Sequence, residues 1–319
     1  MKIILAPMDG ITDFYVRQLL TSVGGYDLSI TEFLRVTESV FPKRIFYQTC
    51  PEINPDYQLD GKTQSGTPVI LQLLGNHSGY LAANAYKAAE LGVSGIDLNF
   101  GCPSNSVNRR GSGAILLNQP DKIYQLVEAV KQALPEGLSL SAKMRLGYED
   151  SSLALENALA IAAAGADFLT VHARTKKDAY RPPAKWDEVT NIIKKLSIPV
   201  VMNGEIWNID DYKKCHKISQ CNDIMLGRGA FAKPDLAIQI KQQLSGLKTT
   251  SYHWEQVIKL LNDFYLLMIN DKKISEKHLA GRIKLWVKWL MVSYSEAEIL
   301  FEQIKSLRSH QQIVEHIMV

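Results

Sequence analysis

The chain lacks any uninterrupted apolar run long enough to cross a bilayer, which excludes a helical membrane anchor. Its start, MKIILAPMDG, carries an apolar stretch too short for a signal peptide and broken at Asp9, so a soluble cytoplasmic protein is expected. Cysteine is scarce: Cys50, Cys102, Cys215 and Cys221 are scattered without metal-ligand spacing. Five residues separate Cys215 from Cys221, and neither a CxxC nor a paired-histidine motif accompanies them. Reduced thiols and no bound metal are therefore expected. A strong charge of one sign is also lacking, since a net +3 is too small by itself to imply a nucleic-acid partner. No GxGxxG dinucleotide fold is visible. What remains is an ordinary globular composition, 46% apolar and 22% charged, in 319 residues, room for one large α/β domain and a smaller one.

Short β-rich segments alternate with amphipathic ones through most of the chain. Strands are expected at Ile3–Ala6, Leu28–Glu32, Pro68–Leu73, Gly95–Asn99, Ser139–Met144, Phe168–His172, Pro199–Met202 and Asp223–Leu226. Helices are expected between them, for example at Gly79–Leu91, Lys122–Leu134, Ser152–Ala164 and Lys233–Leu244. Eight strand–helix units fit a closed (β/α)8 TIM barrel better than an open doubly wound sheet. Near Ser245-Gly246 the pattern becomes wholly helical, with apolar spacing through Trp254, Val257, Leu260, Leu261 and Phe264, then Leu279, Ile283, Trp286, Val287 and Leu290. The expected organisation is a barrel at 1–245 and an all-helical domain at 246–319.

In Leu98-Asn99-Phe100-Gly101-Cys102-Pro103 a strand runs into a turn, because Gly101 and Pro103 are poor strand residues. Cys102 is thus presented at a strand's carboxyl end, where parallel α/β enzymes do chemistry. From this segment alone a small buried hydrophobe is an equal reading. Other strand ends shift the balance: Gln72, Asn99, Lys143, Arg145, His172, Arg174 and Asn203 are polar groups that a barrel interior would not tolerate singly. Alternation puts Lys143 and Arg145 on one face. Strands seven and eight end in Asn203-Gly204-Glu205 and Gly227-Arg228-Gly229, loops that in this fold commonly bind a phosphate, although the glycines could simply close tight turns.

These segments, taken in order, resemble the tRNA-dihydrouridine synthases. The resemblance is carried by Ala6-Pro7-Met8-Asp9-Gly10, Thr31-Glu32, Gln72-Leu73-Leu74-Gly75, Asp97 to Pro103, Gly111-Ser112-Gly113-Ala114, Lys143-Met144-Arg145, His172-Ala173-Arg174-Thr175, Asn203-Gly204-Glu205 and Gly227-Arg228-Gly229-Ala230. Ile30 to Val36 and the tail segment Ala280-Gly281-Arg282-Ile283-Lys284-Leu285-Trp286 are most similar to the bacterial DusC branch, which acts on uridine 16 of the D-loop. The resemblance implies a flavoenzyme in which NADPH reduces bound FMN, the flavin N5 passes hydride to uracil C6, and Cys102 protonates C5. It places Pro7, Met8, Asp9, Gln72, Lys143, His172, Asn203, Gly204, Glu205, Gly227 and Arg228 at the flavin, with Lys143 stabilising its anionic reduced form. It places Asn99 and Arg145 at the target uracil. Two departures stand out: Asp178-Ala179 precedes Tyr180 where the family often has Gln-Gly, and Arg109-Arg110 is more basic than that branch suggests.

Charge is distributed unevenly. Arg35, Lys43, Arg44, Arg109, Arg110, Arg145, Arg174, Lys176, Lys177 and Arg181 are expected in loops on the catalytic side. The tail adds Arg282 and Lys284 beside tryptophans, whereas Lys272 and Lys273 read as solvated surface. Arg35, Arg282 and Lys284 are expected to contact tRNA, although two residues of separation prevent Arg282 and Lys284 from facing one phosphate, so one of them could brace the tail. A monomer is expected. Two rivals remain: a flavin barrel acting on a free pyrimidine, which leaves the basic tail without a task, and a non-catalytic tRNA-binding barrel, which does the same to Cys102, Lys143 and His172.

Overall fold

The computed structural model describes residues 1–271 and 274–317. Lys272 and Lys273, and the last two residues of the expected helical tail, lie outside the described residues. Eight parallel strands close into a barrel: β1 (Ile3–Leu5), β2 (Leu28–Arg35), β3 (Val69–Leu74), β4 (Gly95–Phe100), β5 (Ser139–Arg145), β6 (Phe168–His172), β7 (Val200–Asn203) and β8 (Asp223–Leu226). Each strand pairs with the next, and β1 closes on β8 through Ile3↔Ile224, Ile4↔Met225 and Leu5↔Leu226.

Alternation within these strands makes two cores. Inward residues Ile4, Ile30, Ile70, Val201 and Met225 fill the barrel. Outward residues such as Ile3, Leu5, Leu71, Leu98 and Met144 pack beneath the helices. The helices around the barrel are α1 (Phe14–Val23), α2 (Lys43–Thr49), α3 (Ser78–Glu90), α4 (Asn105–Asn108), α5 (Pro120–Ala133), α6 (Ala154–Ala163), α7 (Trp186–Lys195), α8 (Ile209–Ser219), α9 (Arg228–Ala232) and α10 (Leu236–Leu244). Local chemistry sets several starts: the Asp13 carboxylate accepts from Val16 N at the head of α1, Asn208 does so from Asp211 N before α8, and Pro120 opens α5.

After α10 the described chain is helical: α11 (Trp254–Ile269), α12 (Glu276–Leu290), α13 (Ser295–Ile304) and α14 (His310–Val314). α11 rests on α1 and α12 on α9. Buried Phe264 and Trp286 meet edge to face in the tail's core, and the Trp286 indole donates to Phe231 O at 3.1 Å. No helix among the described residues is long and apolar enough to cross a membrane.

The structure departs from the sequence reading in three places. β2 runs on to Arg35 because the register with β3 shifts between Ile30 and Phe33, so Arg35 ends a strand and does not lie in the following loop. Arg145 likewise closes β5, and Lys43 and Arg44 open α2. The helix expected from Lys233 begins only at Leu236, as α10, with Pro234 in the break that separates it from the short α9.

Candidate active site

The carboxyl ends of the strands surround a cavity of about 400 Å³. Its wall runs from Ala6, Pro7, Met8 and Asp9 after β1, through Gln72, Asn99, Cys102, Lys143, Arg145, His172 and Asn203, to Gly227 and Arg228 after β8. All eleven positions expected at a flavin are in this lining, as are Cys102, Asn99 and Arg145. Parallel strands and their shared inward alternation bring together residues more than two hundred positions apart.

A hydrogen-bonded chain forms the deeper wall. The buried Asp97 carboxylate accepts from Gln72 Nε2 at 2.6 Å and Ser141 Oγ at 2.5 Å. Gln72 Oε1 accepts from Asn99 Nδ2 at 2.8 Å, and Asn99 Oδ1 accepts from Gly101 N at 2.9 Å. Because an ionised carboxylate only accepts, Asp97 fixes which way both amides face. Burial pushes its pKa up to about 6, against the opposing pull of Ser141, Gln72 and Lys143.

Burial, then the neighbouring Arg145, brings Lys143 down to about 8. Its ammonium donates no hydrogen bond to any described residue; it lines the cavity, with the Asp97 carboxylate as a nearby opposite charge. Burial and the cations Arg145, Lys143, Arg174 and Arg228 hold His172 well below the usual histidine range, so it is neutral at pH 7. His172 Nε2 lies 3.4 Å from Arg174 Nη1. A guanidinium only donates, so the imidazole proton is assigned to Nδ1. Cys102 lies in the loop that its own carbonyl anchors, accepting from Asn108 Nδ2 at 3.0 Å and Ala114 N at 3.1 Å. Burial pushes the Cys102 thiol up from its ordinary range, keeping it protonated.

The loops after β7 and β8 have a different character. The backbone N–H groups of Gly204, Glu205, Gly227 and Arg228 donate to no acceptor among the described residues, and the Arg228 guanidinium forms no hydrogen bond with them either. Gly204 has φ +120°, and a Cβ there would lie 2.9 Å from His172 Cδ2, so the position suits glycine. The Glu205 carboxylate is engaged by Arg174 Nη2 at 2.5 Å and by Ala184 N.

Arg145 lines the cavity but donates to the carbonyls of Gly101, Thr175 and Ala179 at 2.9, 3.1 and 2.8 Å. Three residues expected at tRNA lie outside the cavity. Arg35 ends β2, with Nη2 3.3 Å from Ser106 O. Arg282 is buried against the barrel: Nη1 donates to Gly10 O and Nη2 to Ile11 O, both at 2.8 Å, and Nη2 pairs with Asp13 at 2.8 Å. Lys284 Nζ donates to the carbonyls of Lys305, at 3.0 Å, and Leu307. Both tail cations thus hydrogen-bond within the chain, and Arg282 is the one that braces the tail against the barrel. Their positions, two residues apart on a helix, direct one to the barrel and the other to the end of α13. Tyr180, Trp207 and Trp289 also line the cavity and were not among the expected site residues. Trp207 was legible as an aromatic three residues after the Gly204 turn, whereas Trp289 reaches the barrel only through tertiary packing.

A family model described as Dihydrouridine synthase (Dus) matches residues 4–317. The chain is 43% identical over 314 residues to a protein named tRNA-dihydrouridine(16) synthase in Shewanella oneidensis, covering 98% of this chain and 96% of that one. It is 42% identical to one of the same name in Haemophilus influenzae, covering 98% of each chain. Among solved structures, an old yellow enzyme homologue from Zymomonas mobilis superposes with a TM-score of 0.52 at 13% identity, over 80% of this chain and 91% of that chain. Histamine dehydrogenase from a Rhizobium species gives 0.57 at 13% identity over 83% of this chain, which spans about half (49%) of that enzyme's length. At such identity these two likenesses concern the fold alone. The family model and the curated relatives span almost the whole chain, barrel and tail together, and the chain belongs to the dihydrouridine synthase family of oxidoreductases.

Proposed function

We propose that this enzyme reduces uridine to 5,6-dihydrouridine in tRNA, at position 16 of the D-loop, using bound FMN with NADPH as reductant. The position follows relatives named for it at 41–43% identity. The observation that carries the reaction is one cavity holding unengaged N–H donors and Arg228 in the same lining as the Cys102 thiol and the Lys143 ammonium.

The residues fit FMN. Gly204, Glu205, Gly227 and Arg228 would take its phosphate, with backbone donors and a guanidinium suited to an oxyanion. Pro7, Met8, Gln72, Lys143, His172 and Asn203 would line the ring, with Asp9 at the exposed rim. When bound, the flavin supplies hydride to uracil C6. Cys102 donates the proton to C5, a task for which a buried, protonated thiol is poised at neutral pH. Lys143 places positive charge beside the ring, and Asn99, oriented by Gln72 and Asp97, presents its amide to the uracil with Arg145. The target base must leave its stack to reach this depth. Arg109, Arg110, Lys176, Lys177 and Arg181 follow β4 and β6 and would meet the tRNA backbone together with Arg35. Residues 1–245 serve as the catalytic barrel and 246–319 as the tRNA-directed helical unit of a cytoplasmic monomer.

Mapping dihydrouridine in tRNA from a strain lacking this protein tests the proposal. Loss confined to position 16 is expected. Loss only at position 20 overturns the assigned position, and an unchanged map overturns the activity.

A further inference from the structure

Arg228 has no hydrogen-bonded partner for its side chain among the described residues, yet its guanidinium is closely held. Its Cζ lies 4.9 Å from the centroid of the Tyr180 ring and 5.0 Å from that of Trp207. Trp207 in turn stacks on Trp289, with centroids 6.4 Å apart and planes at 29°. The four residues come from four places: the loops after β6 and β7, the start of α9, and α12 of the tail. Ring contacts use the face of a guanidinium and leave its N–H edge available to an oxyanion.

The tail's contribution is fixed in place. Arg282 grips the carbonyls of Gly10 and Ile11, and Trp286 donates to Phe231 O. These residues precede Trp289 by seven and three positions, so all three lie along one face of α12. α12 therefore touches the segments after β1, β7 and β8, each of which contributes to the cavity wall.

We propose that Trp289 is a positioning residue for the cofactor phosphate: it supports Trp207, which keeps the Arg228 guanidinium oriented for that phosphate, and the helical tail is thereby part of the FMN site. The inference rests on the reading that Arg228 takes the FMN phosphate.

Full-length protein stripped of flavin and titrated with FMN, followed by flavin fluorescence, provides the test. Arg228→Ala is expected to raise the FMN Kd about tenfold or more. Trp289→Ala and Trp289→Leu should each raise it about threefold or more, while Trp289→Phe, which keeps a ring face, stays near the starting value. Adding Trp289→Leu to Arg228→Ala should weaken binding no further, because the support then has nothing to hold. Unchanged affinity in both Trp289→Ala and Trp289→Leu, alongside a weakened Arg228→Ala, overturns the inference but not the phosphate reading. Undiminished loss from Trp289→Leu in the Arg228→Ala background assigns Trp289 a general packing role and also overturns it. An unchanged Kd in Arg228→Ala removes the phosphate reading and the inference with it.

Discussion

At Cys102, burial keeps the thiol protonated, and this separates two events that a single activity assay would merge. In the proposed reaction NADPH would deliver its electrons without an acid on the uracil side, so flavin bleaching by NADPH is expected to survive Cys102→Ala. Reoxidation by tRNA should slow roughly 10²–10⁴-fold, the usual loss with a general acid; stopped-flow absorbance with each substrate separates the steps. Lys143 gives a second expectation. Its folded-state pKa of about 8 lies below the ordinary lysine value, so the cavity disfavours the ammonium, and that cost to folding is present below pH 8 and is relieved as pH rises above it. An anionic ligand reverses the preference by favouring the ammonium. FMN affinity should therefore be level just below pH 8 and weaken above it as Lys143 loses its proton, with Asp97, Arg145 and Cys102 as the titratable neighbours. Lys143→Met should weaken binding below pH 8 and abolish the decline above it, as read by FMN titration at each pH.

Among the elements, the turn after β7 tolerates little change at its glycine. Gly204→Ala would put a Cβ at φ +120° against the His172 ring, and strain of this kind costs about 1–3 kcal/mol. A lower urea midpoint together with reduced flavin absorbance after purification is the expected result. This turn was legible in the sequence, because Asn203-Gly204-Glu205 follows an apolar strand and precedes a capped helix. The eight strands were legible for the same reason: apolar runs stop at polar residues just where the chain leaves the barrel. The segment between β2 and β3 was not. There α2 and the single 3-10 turns at Pro51–Ile53 and Pro55–Tyr57 are too short for helical periodicity to register. The extension of β2 to Arg35 was hidden by its register shift, which breaks the alternation on which strand reading relies.

For the whole molecule, the seam between barrel and tail decides how the parts behave together. Arg282 joins them through two carbonyls and Asp13, a contact between residues about 270 positions apart that sequence spacing alone could not reveal. Hydrogen bonds to a charged group carry more than neutral ones, so Arg282→Ala should lower folding stability by about 1.5–3 kcal/mol, measured by urea unfolding without tRNA. Because this guanidinium is buried in the seam, the salt dependence of tRNA binding should lose about one charge with Arg35→Ala but stay unchanged with Arg282→Lys. Closure of the barrel also imposes an order in time. β1 leaves the ribosome long before its partner β8, which ends at Leu226, and α12 follows later still. Until β8 emerges the nascent sheet carries two raw edges, each a template for pairing with another chain. Residues from Ala6 to Trp289 wall the same cavity, so β8 can seal those edges before α12 completes the wall in which the proposed cofactor would sit.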